Sequence, residues 1–329
     1  IEVSGSNYTI SAATVTNSLG GDAKETNQSI RTNAPFQYAT QNRMVTSDDY
    51  SSLVLRNFST LIKDIKSFGG EDALKPEFGA VYMSIVYEDD VPASTKTTTQ
   101  SSIQELVDQL SVVSFRLRFV DPVETFIETN TFFQFNSKLT TLSLNSITDS
   151  VNTAVRNYFS ANTGKFGQAF RRSNVLTLID EVSPAVLSSR MEVKMQQRII
   201  PRLDAQNDFE QRFPTAIAAP DDVNYIVNSS SFVVAGKNCK IRNKLNSNKL
   251  QVVTLDGVTV VVDNVGSYEA ANGTLSLVGF KPNSIVGGVN YIKISVLPAN
   301  QSAIAPVRQD ILEFDEDPSF ASAVIVTSV

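Results

Sequence analysis

Apolar residues recur at helical spacing only before about residue 185 of this chain. Thr46 precedes Ser47, Asp48 and Asp49, and Tyr50, Leu53, Val54 and Phe58 then continue one face. With Thr46 as N-cap, Asp49 falls at the third helical position and closes a capping box. Val45 and Tyr50 take the positions of a hydrophobic staple, and the two aspartates sit where the helix dipole favours negative charge. Ser102-x-x-Glu105 predicts a short helix with Ile103, Leu106, Val107 and Leu110 inward. Ser146-x-x-Asp149 predicts a longer one, striped by Ile147, Val151, Ala154, Val155, Tyr158 and Phe159. Ser173 predicts a third, with Leu176, Ile179 and Val182 inward, and a weak helix from Asp22 should stop at Pro35.

Period-two stretches lie between them. Residues 80–89, 111–122, 124–136 and 187–200 alternate apolar and polar positions or are rich in β-branched and aromatic residues, and read as strands. The order of elements predicts an α+β fold, with helices packed on mostly antiparallel sheets. Beyond Pro201 the pattern changes. Residues 202–222 are polar with two prolines and read as a linker. From 223 to 329 only short strands appear, near 250–254, 258–262, 275–278, 291–296 and 323–327, separated by Asp256-Gly257, Asn272-Gly273 and Gly287-Gly288. That predicts a small all-β domain, set apart from an α+β region over 1–201.

Composition removes much chemistry. The 329 residues include no His and one Cys, Cys239, so the usual Cys/His zinc site and a Ser/His/Asp triad cannot be built within one chain. No glycine-rich phosphate loop, nucleophile elbow or Ser-x-x-Lys is present. No cofactor and no metal is expected, and neither is catalysis. A net charge of −6 argues against nucleic acid as a partner. No apolar run reaches the length of about 18 residues that a membrane-spanning helix requires. Residue 1 is Ile, which reads as a fragment or a processed product.

Two stretches are candidate interaction sites. Phe132, Phe133 and Phe135 place aromatic rings on both faces of one strand, which fits burial under helices or against a partner chain. Lys237, Lys240, Arg242 and Lys244 form a basic run without an acid. It could hold an acidic partner, or be a solvated hairpin whose charges discourage edge pairing, and the pattern favours the hairpin.

Residues 20–72 also resemble a known signature. Gly20, Gly21, Glu25, Ile30, Arg31, Ala34, Pro35, Arg43, Val45, Thr46, Asp49, Tyr50, Gly69 and Gly70 follow the pattern of the baseplate-J-like family, with Met44 where Ala is usual. The later order of elements extends the likeness over roughly residues 20–200, with residues 1–19 assignable to an upstream domain. Within the family, the pattern looks most like the wedge ring members of T-even contractile-tailed bacteriophages. The resemblance implies a structural subunit of the tail baseplate in the virion, assembled in the host cytoplasm. It implies that wedges are linked into a ring around the hub, with a hinge role during baseplate rearrangement. The implied partners are the chain itself, as a homodimer, and other wedge proteins. A receptor- or carbohydrate-binding tail module is the competing reading. It would need an exposed aromatic platform, yet Trp is absent.

Overall fold

The computed structural model describes residues 2–3, 6–7, 27–73, 76–111 and 115–325. The chain divides into two compact units, Ile1–Asp121 and Pro122–Val329. Helices and mostly antiparallel sheets make it an α+β protein, as the patterning predicts.

The first unit holds strands β1 (Glu2–Val3) and β2 (Ser6–Asn7), paired with each other. Then follow α1 (Asn27–Thr40), α2 (Ser47–Phe58), β3 (Ile62–Gly69), β4 (Ala80–Tyr87), α3 (Ala93–Leu110) and β5 (Arg116–Val120). β3 pairs antiparallel with β4, and β4 pairs parallel with β5, with α3 as the crossover. Tyr50, Leu53 and Val54 of α2 and Ile103 and Val107 of α3 pack against Ile65, Met83, Ile85 and Leu117 of the sheet.

Two expected boundaries move. Pro35 lies inside α1, which runs on to Thr40 and ends where Gln41 and Asn42 turn left-handed, at φ 47° and 61°. The expected start of that helix at Asp22 falls outside the described residues. Ser102 does not open a helix either. α3 begins at Ala93, behind Pro92, across a polar run with no apolar stripe. The hydroxyls of Thr97, Thr98, Thr99 and Ser101 bond back to carbonyls four residues earlier, so these side chains satisfy themselves within the helix.

The second unit opens with β6 (Val123–Phe135), α4 (Leu144–Asn162), β7 (Phe170–Arg171), α5 (Arg172–Asp180), β8 (Val186–Ile199) and β9 (Asn207–Arg212). Short strands follow: β10 (Val227–Ser229), β11 (Phe232–Val234), β12 (Lys237–Asn243), β13 (Lys249–Thr254), β14 (Val260–Glu269), β15 (Thr274–Phe280), β16 (Ser284–Ile285), β17 (Ile292–Val296), β18 (Ala303–Ile304), β19 (Asp310–Phe314) and β20 (Phe320–Ile325). The caps of both helices differ from expectation by a few residues. Ser143 caps α4, accepting from the Ser146 amide, and α5 starts after Arg171 with no side-chain cap.

The expected linker and separate all-β domain are not what forms. β8 pairs with β17, and β9, inside the expected linker, pairs with β15. One sheet runs β19-β6-β8-β17-β10-β12-β13-β14-β15-β9, and one apolar cluster joins α4 and α5 to Val227, Ile241, Leu250, Leu275 and Ile294. The polar stretch is tied down by side chains that composition does not weigh. Asn207 is buried and bonds the carbonyls of Arg202, Ala205 and Phe280, while Phe213 and Ile217 enter the core.

Candidate interaction surfaces

The motif around Thr46 is a helix start. The Asp49 amide donates to Thr46 Oγ1 at 3.3 Å, and the Thr46 amide donates to Asp49 Oδ2 at 2.8 Å, closing the expected capping box. The staple departs from expectation. Tyr50 is 1% exposed and Val45 is 48% exposed, so the ring belongs to the core and Val45 faces solvent. Arg43 is exposed and bonds the Gln41 side chain. Met44 is fully buried, and its amide bonds the Leu110 carbonyl.

Gly70 has a steric reason to be glycine. A Cβ there would lie 1.9 Å from the Glu77 carbonyl oxygen, because the 76–79 loop folds directly onto it. Gly69 has ordinary extended backbone, at φ −67°. Glu77 in turn accepts from Tyr82 and Arg118, and the bond from Arg118 holds its carboxyl below the usual range.

The aromatic strand splits between two faces. Phe133 and Phe135 lie in the core with Val151, Val155 and Phe159 of α4, so a partner cannot reach them in this fold. Phe132 points the other way and is half-buried. The Arg190 guanidinium lies 4.5 Å from its ring centroid and Phe320 meets it edge-on at 6.0 Å. Of the three, only Phe132 keeps an interface role open.

The basic run is β12. Arg242 stacks over Tyr225 at 4.3 Å and donates to the Gly257 carbonyl, and Lys244 pairs with Asp263 at 2.8 Å. Those two charges are engaged within the unit. Lys237 is exposed and Lys240 half-buried. β12 pairs with β10 and β11 and also with β13, so it is not an edge strand and its charges guard no free edge.

Sequence reasoning missed a buried polar cluster where β6, β8, β17 and the turn after β19 meet. Gln196, fully buried, donates to Glu128 Oε1 at 2.7 Å and to Asp315 Oδ2 at 2.6 Å. Ser295 donates to the same Glu128 oxygen. Lys293 Nζ lies 2.6 Å from Asp315 and 3.4 Å from Asp317, and Arg198 lies 3.6 Å from Asp315. Burial pushes the Asp315 carboxyl up, but Lys293 and Gln196 outweigh it and hold the pKa below the usual value. Burial also disfavours the Lys293 cation, yet its two aspartates leave the pKa raised. The only sequence signal was Gln196 and Gln197 interrupting an alternating strand, and its partners lie between 68 and 119 residues away.

Among the described residues no set of three or more Cys, Asp or Glu side chains gathers as metal ligands would. No helix among them is long and apolar enough to cross a membrane.

Comparison with known proteins agrees with this division of the chain. A family model described as "Baseplate structural protein gp6, C-terminal domain I" matches residues 46–118, and one described as "Baseplate structural protein gp6, C-terminal domain III" matches residues 124–198. The "Baseplate wedge protein gp6" of Enterobacteria phage T4 is 22% identical over 180 residues, covering 55% of this chain. The chain spans 26% of the length of that relative. These matches support the wedge-protein part of the sequence resemblance and not its baseplate-J-like label. The two matched segments are similar, one in each compact unit and in the same order, to C-terminal domains I and III of the gp6 baseplate structural proteins.

Proposed function

We propose that this chain is part of a structural subunit of a contractile phage tail baseplate wedge, resident in the virion and assembled in the host cytoplasm. It links wedges into a ring around the hub and serves as a hinge when the baseplate rearranges. Its partners are copies of itself, as a homodimer, and other wedge proteins. It performs no catalysis and takes no cofactor or metal. The observation that carries this reading is the placement of the two gp6 matches. They fall on either side of the division near residue 121, one within each compact unit, and the second covers only the opening part of its unit.

The physical character of the chain supports the reading. The polar motif of the first unit is spent on capping a helix, and the buried charges of the second unit bond to one another. A polar cluster that is fully bonded rigidifies a core. Without His, no unperturbed side chain changes charge between about pH 5 and 8, so movement should be driven by neighbouring subunits and carried by rigid units.

Light scattering of the purified chain tests the assembly claim. The expected mass is that of a dimer or larger at micromolar concentration, the same at pH 6 and pH 8. A strictly monomeric chain overturns self-association for this segment, and a mass that changes across that range overturns the passive role.

A further inference from the structure

The two last strands cover one edge of β6 in succession. β19 pairs parallel with Val123–Ile127, and β20 pairs parallel with Asn130–Phe135. Their anchorage differs. β19 sends Leu312, fully buried, and Phe314 into the core, where Phe314 stacks on Phe159 at 4.2 Å. β20 offers Ala321 and Ala323 to the same core, while Phe320 remains 48% exposed on the other face. Alanines remove little apolar surface from water, so over Phe320–Ala323 the strand is held by its ladder and by the edge-on contact of Phe320 with Phe132. Among the described strands it pairs with β6 alone.

Between the two strands stands Asp315. Its side chain is 5% exposed and receives Lys293, Gln196 and Arg198. Its amide bonds the Ile127 carbonyl, and its carbonyl accepts from Ser319 Oγ, which in turn accepts from the Thr129 amide. Glu316 pairs with Arg156 of α4. Every fastening of this turn lies on the β19 side of β20 or at its first residue.

We propose that β20 is a releasable strand, latched by Asp315 and Ser319, and that the β6 edge it covers accepts the same segment from a second copy of this chain. The edge already takes this sequence in a defined parallel register, Phe320 opposite Asn130 through Ile325 opposite Phe135. A second copy carries the matching alternation of small inward residues, so exchange requires no new complementarity, only release. The inference rests on this geometry and stands or falls independently of the baseplate reading.

Hydrogen exchange on the full chain tests it. Amides of 320–325 should exchange at least about tenfold faster than those of 310–314, with 130–135 rising alongside them. Asp315→Asn and Ser319→Ala should each accelerate 320–325 by about fivefold or more while 186–199 stays within about twofold. A synthetic peptide of residues 318–325 should bind Asp315→Asn saturably and restore protection at 130–135. Equal protection of β19 and β20 in the unsubstituted chain overturns the release, even if a variant fails to fold. Uniform acceleration in both folded variants overturns the latch, and a peptide that leaves 130–135 unprotected overturns the acceptor edge.

Discussion

The two units are held together in different ways. In the first, short-range signals set the elements, with Thr46 capping the helix that presents Tyr50 and β4, α3 and β5 following one another into a single crossover, while the Met44–Leu110 and Glu77–Arg118 bonds close the frame. In the second, β6 at 123–135 finds its partners at 186–199, 310–314 and 320–325. Among its described residues the first unit buries only hydroxyl side chains, Thr40, Ser67, Ser84 and Thr99, beside its apolar residues. The second adds a charged cluster drawn from four segments. A frame made of local contacts can be read and repaired piece by piece, whereas one made of distant pairings depends on the chain being whole.

Substitutions can break this contrast. The largest effect is expected at Phe159, which is buried and stacks on both Phe170 and Phe314. Phe159→Ala should cost roughly 3–5 kcal/mol by chemical denaturation, and its loss should be felt by β19 as well as α4. If β19 keeps its hydrogen-exchange protection in this variant, the second unit is less interdependent than its contacts indicate. In the first unit, Tyr50→Ala should cost roughly 2–4 kcal/mol, since the ring is 1% exposed. A cost below about 0.5 kcal/mol would mean that α2 does not depend on its own buried face. Thr46→Ala removes the cap and should cost about 1 kcal/mol, without disturbing β6 or β8. An effect on those strands would show that the local frame is not local.

The smallest effect concerns pH. Burial pushes the Asp310 carboxyl up from 3.8 to about 6. Its folded form therefore holds a proton that the unfolded form has released, so stability falls as pH rises from about 4 to about 6 and is level above that. Arg212 and Arg308 moderate the shift. Asp315 and Glu316 have lowered values, so their contribution is present above their ordinary values of 3.8 and 4.5 and is lost as pH falls below them. Asp310→Asn should flatten the change in melting temperature between pH 4.5 and 7, and an unchanged slope would remove Asp310 as its source. Among the described residues, Asp310 is a carboxylate that burial moves toward neutrality, which a His-free sequence did not announce.

How much was legible follows the same line. The capping box, the stripe of α4 and the strands β4, β6 and β8 were readable because their signals lie within a dozen or so residues. The α+β class followed from them. The boundary at 202–222 was misread because prolines and polar residues say nothing of Asn207 closing three carbonyls or of β9 pairing with β15 across more than sixty positions. Phe132 and Phe133 could be assigned to opposite faces, but not to core and surface, since the cover on each face comes from elsewhere in the chain. The Asp315 cluster left only Gln196 and Gln197 as a trace in the sequence, because its other members are single polar residues on separate segments.

The most direct test is a cryo-EM map of contractile-tailed particles that carry this chain. Fitted as separate bodies, 27–121 and 122–325 should both occupy density in the tail baseplate, repeated around the tail axis and touching neighbouring copies. Density for these units at a fibre tip, or their absence from the particle, would contradict the account.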